Sequence, residues 1–145
     1  ILLIMRSIIM MLEVNFQNVR FCFILLMVLE INGDEVISSA ILKRGICYLK
    51  LGDLQLASGD LNTVISIGTK LSASAYTWLA RVAYQKKKYY LSLEYLTKCI
   101  ELDPKNLLAY HDRSIIYDIL DKPELAKEDM RTLEFLKRDR LFSNE

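Results

Sequence analysis

Hydrophobic and small residues recur along this chain in three copies of one pattern. Ile41, Tyr76 and Tyr110 occupy equivalent positions, separated by 35 and then 34 residues. Inside each copy, apolar residues return at three-, four- and seven-residue spacings, which predicts two amphipathic helices per copy. A period of about 34 residues with large and small residues at fixed positions is typical of a solenoid built from helical hairpins.

Polar breaks predict where the helices begin and end. Gly52-Asp53 and Lys86-Lys87-Lys88 are predicted turns within a pair of helices, because both interrupt the apolar spacing. Asp103-Pro104 stops a helix, because proline disfavours helical backbone in the residue before it. Asn106 and Pro123 suit the starts of helices. The predicted helices cover about residues 34–50, 54–67, 72–85, 90–102, 107–120 and 123–137.

Small side chains at fixed positions allow the two helices of each predicted hairpin to approach closely. Larger residues at neighbouring positions are expected to fill the space between the helices. One hairpin cannot bury both of its faces alone, so each copy is expected to pack against the next. The small residues are Gly45, Ala80 and Ser114 on first helices and Ala57, Ser92 and Ala126 on second helices; the large ones are Tyr48, Tyr117, Leu61, Leu96 and Met130.

The repeated positions resemble those of the tetratricopeptide repeat (TPR) family. The segment CIELDPKNLLAY is similar to the family's junction between repeats, and RGICYLKLGD is similar to its first helix and turn. The resemblance implies an all-α fold, a right-handed α-solenoid of stacked antiparallel helix hairpins. It assigns repeats to residues 38–72, 73–106 and 107–140, a degenerate helix pair or fourth repeat to 1–37, and a frayed tail to 141–145. The best copy carries Tyr76, Leu79, Ala80, Ala83, Ser92, Leu96 and Pro104.

Charge and cysteine content narrow the classes of function. The formal net charge of +1 gives no overall attraction toward nucleic acid or acidic lipid. With His111 as its single histidine, the chain lacks most nucleophile–base arrangements, and its sequence shows no cofactor or metal motif. Cys22, Cys47 and Cys99 lack metal-ligand spacing, which indicates small buried residues in a reducing, cytoplasmic location. We therefore expect no enzyme activity, no cofactor and no metal.

The acidic residues near the C-terminus are expected to be structural. Glu124, Glu128 and Asp129 are spaced to pair with Lys127 and Arg131 on a solvated helix face. An acid–base catalytic pair is not expected among them.

The resemblance also implies a binding surface, because TPR proteins bind partners along the concave face formed by their first helices. Arg81 lies in the middle of the predicted groove, between apolar ends, and is expected to take a carboxylate or a backbone carbonyl of a peptide. The alternative is that these are ordinary exposed side chains of a structural spacer. The predicted groove residues are Leu42, Ile46, Leu49, Thr77, Arg81, Tyr84, Gln85, Leu108, His111, Asp112 and Ile115.

Two further ligand classes are expected to be absent. Chaperone-binding members of the family hold an acidic C-terminal peptide with Lys, Asn and Arg side chains. The matching positions here include Trp78, Leu108 and Asp112, which argues against that peptide. The lysines at 86–88, with tyrosines beside them, suit a nucleic-acid or lipid patch, but a helical turn must be polar in any case. We expect a solvated turn and no nucleic-acid partner.

The favoured function is a non-catalytic scaffold or adaptor that binds a peptide or a partner helix of another protein. The alternative function is the recognition arm or regulatory part of a larger enzyme whose catalytic domain lies outside this sequence. The start at Ile1 keeps this alternative open. The apolar stretches at 1–12 and 21–29 are too short to span a membrane. Because solenoids usually need polar caps, we expect self-association through exposed ends.

Overall fold

The regular structure between residues 33 and 142 is entirely helical. A computed structural model describes these residues, which divide into two compact units, one ending at Leu71 and the other beginning at Ser72. Within this part of the chain, none of the helices combines the length and the apolar character needed to cross a membrane. The six helices are α1 (Asp34–Leu51), α2 (Leu54–Ile67), α3 (Ser72–Gln85), α4 (Tyr89–Leu102), α5 (Leu107–Ile119) and α6 (Pro123–Phe142).

The first unit contains a helical hairpin made by α1 and α2. Gly52 ends α1 in the left-handed backbone region, and the carboxylate of Asp53 caps α2 by accepting a 3.1 Å hydrogen bond from the backbone N–H of Leu56. A Cβ atom placed on Gly45 would lie 3.1 Å from the Cβ of Asp60 and 3.3 Å from the Cγ of Leu61. Close packing of the hairpin therefore requires the small residue predicted there.

The second unit joins two hairpins, α3 with α4 and α5 with α6, by packing α4 against α5. The Ser92 hydroxyl donates a 2.7 Å hydrogen bond to the carbonyl oxygen of Ala80, which ties α4 to α3. Asn106 caps α5 as predicted, because its side-chain oxygen accepts a 3.1 Å hydrogen bond from the backbone N–H of Ala109. The buried core of this unit comprises Ala73, Ala80, Leu96, Cys99, Ala109 and Ile116.

Burial confirms the six small positions, all of which lie in the interior. Leu61 and Leu96 are fully buried, as expected for the large positions, but the prediction for Met130 is wrong, because 39% of that residue is exposed. Leu133, one turn further along α6, fills the interior of this hairpin.

Three turn residues share a backbone conformation as well as a position in the repeat. Gly52, Lys87 and Asp121 have φ angles of 83°, 57° and 56°. Their spacing is the 35 and 34 residues of the repeat. This left-handed conformation is unstrained for glycine and strained for lysine. The turn thus imposes the same geometry on each hairpin, although only the first one has a glycine there.

The C-terminal helix is longer than predicted. Residues 141 and 142 belong to α6 and are not a frayed tail, whereas residues 143–145 lie outside the described part of the chain. The extension is tied to the α4–α5 loop by an ion pair of 3.2 Å between Lys105 Nζ and Asp139 Oδ2.

Most of the predicted degenerate helix pair at 1–37 lies outside the described residues. Of its residues, only 33–37 are described, and α1 begins among them at Asp34. The repeat boundaries at 38–72, 73–106 and 107–140 stay predictions.

Candidate partner-binding face

An ion pair connects the first helices of the two hairpins in the second unit. Arg81 on α3 donates to the Asp112 carboxylate on α5 at two points, with Nε–Oδ2 and Nη2–Oδ1 distances of 2.6 and 3.2 Å. Two-point geometry makes this a directional contact as well as an electrostatic one. The Arg81 guanidinium, expected to bind a ligand, thus already holds a carboxylate of its own chain.

Two neighbouring side chains complete this charged centre. The guanidinium carbon of Arg81 lies 4.7 Å from the centroid of a Trp78 ring, a cation–π arrangement that orients the arginine. His111 Nδ1 lies 3.2 Å from Asp112 Oδ1, so the same carboxylate also faces the chain's one histidine. The result is a nearly neutral polar centre held by aromatic contact.

Apolar side chains are exposed around this polar centre. Tyr84, Leu108 and Ile115 are exposed by 41%, 38% and 40%. Gln85 and His111 are also exposed, whereas Arg81 and Asp112 are half-buried. These accessible members of the predicted groove, here named the α3–α5 face, are Arg81, Tyr84, Gln85, Leu108, His111, Asp112 and Ile115.

The remaining predicted groove residues offer little surface. Thr77 is only 1% exposed, because its hydroxyl points toward α4. The Oγ1 atom lies 3.0 Å from Cys99 Sγ on α4 and donates a 3.3 Å hydrogen bond to the carbonyl of Ala73, one turn earlier on α3. Its assignment to a groove is therefore wrong. In the first unit Leu42 and Leu49 are buried as well, contrary to expectation, and Ile46 is half-buried.

Burial also shapes the chemistry of Cys99. Desolvation raises the pKa of its thiol, and the hydrogen bond to Thr77 opposes that rise only in part. Cys47 and Cys99 are both buried. Burial thus makes Cys99 a packing residue and a poor nucleophile.

Two further ion pairs of the same kind lie inside hairpins. Arg44 and Asp60 join α1 to α2 through two contacts of 2.7 Å. Arg113 and Asp129 join α5 to α6 through contacts of 2.8 and 2.7 Å, with side-chain exposures of 16% and 5%. The hydrogen bond to Asp129 raises the pKa of Arg113. Asp129 is therefore a buried structural anion, and its predicted place on a solvated face is wrong.

The repeat itself carried a signal for these pairs. Positions 44, 79 and 113 are equivalent and hold Arg, Leu and Arg, while positions 60, 95 and 129 hold Asp, Tyr and Asp. Charge thus appears at both positions of a hairpin or at neither. Reading the two positions together would have predicted both ion pairs. The exposed Glu124–Lys127 pair, at 2.9 Å, follows the expected short spacing on α6.

An open cleft of about 380 Å³ lies beside the buried pair on the α5–α6 hairpin. The equivalent surface of the preceding hairpin, which includes Tyr76 and Tyr95, packs against the core containing Ala109 of α5. On the preceding hairpin, the surface equivalent to this cleft is therefore covered by α5. Its lining residues are Tyr110, Arg113, Tyr117, Leu125, Glu128, Asp129 and Thr132.

Residues 33–142 contain no cluster of three or more His, Cys, Asp or Glu side chains placed to hold a metal ion. The chemistry that this part of the chain presents is that of paired charges and apolar contacts.

Comparison with known proteins agrees with this architecture. A sequence profile described as "Tetratricopeptide repeat" matches residues 73–106. Human mitochondrial import receptor subunit TOM70 is 31% identical over 104 residues, which are 69% of this chain and 17% of that protein. The chain belongs to the tetratricopeptide repeat family. It spans about one sixth of the length of the curated TPR relatives that it matches.

Solved TPR structures share the fold. A crystal structure of MamA superposes with a TM-score of 0.66 at 19% identity and covers 72% of this chain and 60% of that one. The second TPR domain of Spaghetti (RPAP3), bound to the HSP90 peptide SRMEEVD, superposes with a TM-score of 0.63 at 23% identity and covers 68% and 85%. The fold is thus an all-α, TPR-like solenoid, and the similarity to a peptide-bound domain gives no support to excluding a chaperone peptide.

Proposed function

We propose that this TPR chain is a non-catalytic scaffold or adaptor whose α3–α5 face binds a peptide or a partner helix of another protein. The TPR fold supports protein–protein interaction in general. The observation that carries the specific proposal is the Arg81–Asp112 ion pair, which joins α3 to α5 in the middle of an accessible apolar surface.

The internal ion pair determines which ligand chemistry suits this face. Because Asp112 neutralises Arg81, a partner gains little by offering a carboxylate there. Tyr84, Leu108 and Ile115 instead offer apolar area on both helices. The preferred ligand is therefore a segment with two or more apolar anchors and an uncharged polar group between them.

The experiment is a selection of peptides against the 145-residue chain, followed by affinity measurement with two variants. Ile115→Glu places a charge on the α3–α5 face and is expected to weaken a selected peptide by about tenfold or more. Leu102→Glu, at an exposed position at the end of α4, is the matched control and is expected to leave the affinity unchanged. Equal losses in both variants would contradict the proposal.

The peptide SRMEEVD serves as the competing ligand in the same assay, because a similar TPR domain holds it. We expect it to bind this chain more weakly than the selected apolar peptides. Tight binding that Arg81→Glu abolishes would overturn the preference for apolar anchors.

We also place the protein in the cytoplasm as part of this proposal. Its support is that Cys22, Cys47 and Cys99 lack the spacing of a disulfide framework and that Cys47 and Cys99 are buried, which suits a reducing compartment. Fractionation of the source cells tests it, and recovery of the protein only outside the cell would contradict it.

A further inference from the structure

We infer that the edge of the second unit formed by its two hairpin turns is a docking surface for an anionic lipid bilayer, reached by peripheral and reversible binding. This lysine edge consists of Lys86, Lys87, Lys88, Lys122 and Tyr90. It shares no residue with the α3–α5 face, and vesicle binding and peptide binding are measured in separate experiments, so the failure of one proposal is distinguishable from failure of the other.

The two turns form one surface through a contact between them. Lys122, in the α5–α6 turn, places its Nζ atom 5.7 Å from the ring centroid of Tyr90 at the start of α4. Backbone hydrogen bonds hold the α3–α4 turn, from the N–H of Lys87 to the Tyr84 carbonyl at 2.8 Å and from the N–H of Lys88 to the Ala83 carbonyl at 2.9 Å. The edge is therefore an ordered feature of the fold.

The charge of this edge is available to a ligand. Lys86, Lys87 and Lys88 are exposed, and no carboxylate within residues 33–142 forms an ion pair with them. The exposed acidic residues near the adjoining turn are Asp118 at the end of α5, Asp121 in the turn and Glu124 at the start of α6. Glu124 is paired with Lys127, and the four lysines outnumber all three acids. The edge thus presents a net positive surface although the whole chain is close to neutral.

Turn formation alone does not account for the lysines. The equivalent turn of the first hairpin uses Gly52, and that of the third uses Asp121. Lys87 adopts the left-handed conformation that glycine would tolerate without strain. A turn of this geometry therefore forms with glycine or aspartate at that position, so closing it does not require three consecutive lysines.

The shape of the edge favours a bilayer over a nucleic acid. A single-stranded nucleic acid is bound in a groove that follows its backbone, whereas these lysines lie on protruding turns at the ends of helices. A bilayer offers a flat anionic surface that several ammonium groups reach together. Tyr90, which is 69% exposed, supplies a ring with an apolar body and a polar tip that suits the membrane–water boundary.

The test is co-sedimentation of the 145-residue chain with vesicles of phosphatidylcholine alone or of phosphatidylcholine mixed with phosphatidylserine. We expect binding only to the mixed vesicles and weaker binding as salt is raised. The variant Lys86→Gln/Lys87→Gln/Lys88→Gln is expected to lose about fivefold in partitioning for each lysine, roughly a hundredfold in all.

The matched control removes the same charge elsewhere. Lys98→Gln/Lys105→Gln/Lys137→Gln changes three lysines of the same unit that lie toward the other end of its hairpins, and it is expected to keep most of the binding. Circular dichroism of both variants checks that they fold. Equal losses in the two variants, no binding to the mixed vesicles, or retention of a uridine oligonucleotide in place of vesicles would each overturn the proposal.

Discussion

Arg113 and Asp129 form a two-point ion pair across the α5–α6 hairpin, with N–O distances of 2.8 and 2.7 Å. The same two positions in the preceding hairpin hold Leu79 and Tyr95. An apolar pair and a charged pair therefore occupy equivalent interiors. Replacing the charged pair with the apolar pair therefore measures what the charges contribute to the free energy of unfolding.

The first prediction concerns that exchange. Asp129→Ala leaves a largely buried guanidinium without its anion and is expected to lower the free energy of unfolding by about 3 kcal/mol. The double variant Arg113→Leu/Asp129→Tyr copies the preceding hairpin and is expected to recover most of this loss. Urea unfolding followed by circular dichroism measures both.

The exposed pair on α6 provides the control for this experiment. Glu124→Ala removes the partner of Lys127 at the surface and is expected to change the free energy of unfolding by less than about 0.5 kcal/mol. A loss for Asp129→Ala no larger than this would show that the buried pair is not required.

A second prediction contrasts two glycines in the first hairpin. Gly45→Ala would place its new Cβ 3.1 Å from the Cβ of Asp60, and the resulting overlap is expected to destabilise the hairpin by about 1 kcal/mol or more. Gly59→Ala, on α2, meets no atom within 4 Å and is expected to stabilise it by about 0.5–1 kcal/mol through helix propensity. Thermal unfolding of both variants decides the matter, since shifts of the same sign would contradict the described close approach.

The local features of this fold were predictable from sequence because each depends on a few adjacent residues. The cap at Asn106, the start of α6 at Pro123 and the small residue at Gly45 are all seen as predicted. Their signals are steric or involve one nearby hydrogen bond, so neighbouring residues suffice to identify them.

The contacts of the candidate face were harder to predict, because they depend on which neighbouring helix covers each turn of α3. Thr77 has the helical spacing of Arg81 and Tyr84, yet it is buried against Cys99 of α4, whereas Tyr84 is exposed. The pairing of Arg81 with Asp112 needs side chains on different helices to meet, and sequence spacing does not specify that meeting. The pairs within hairpins are different, because their equivalent positions in the repeat show charge together or not at all.

A third prediction follows from the turn geometry. Lys87→Gly removes the strain of a left-handed lysine and is expected to stabilise the second unit by up to about 1 kcal/mol. Lys86→Gly, one residue earlier and without a positive φ angle, is expected to destabilise it slightly. Denaturant titration of the two variants tests this, and a loss of stability in Lys87→Gly would refute the assigned turn.

A fourth prediction concerns thiol reactivity. Burial raises the pKa of Cys99, so at neutral pH less of it is thiolate than of an exposed cysteine, and an alkylating reagent cannot reach it. We expect Cys99 to react with iodoacetamide only after denaturation, as measured by peptide mapping. Rapid labelling of Cys99 in the native protein would contradict its place in the core.

A fifth prediction concerns association of the chain with itself. Phe135 and Phe142 on α6 are exposed and present apolar surface of the kind that protein contacts bury. We expect the isolated chain to form oligomers whose fraction grows with concentration in analytical ultracentrifugation, and Phe135→Glu/Phe142→Glu to reduce them. A monomer at every concentration would argue against this surface as a contact.

Mapping a selected peptide onto the chain by chemical-shift changes in two-dimensional NMR spectra tests the α3–α5 face most directly. We expect the largest changes on that face, at Tyr84, Leu108 and Ile115, with the indole signal of Trp78 moving as well. Changes confined to α4 and α6, with the α3–α5 face unaffected, would contradict this expectation.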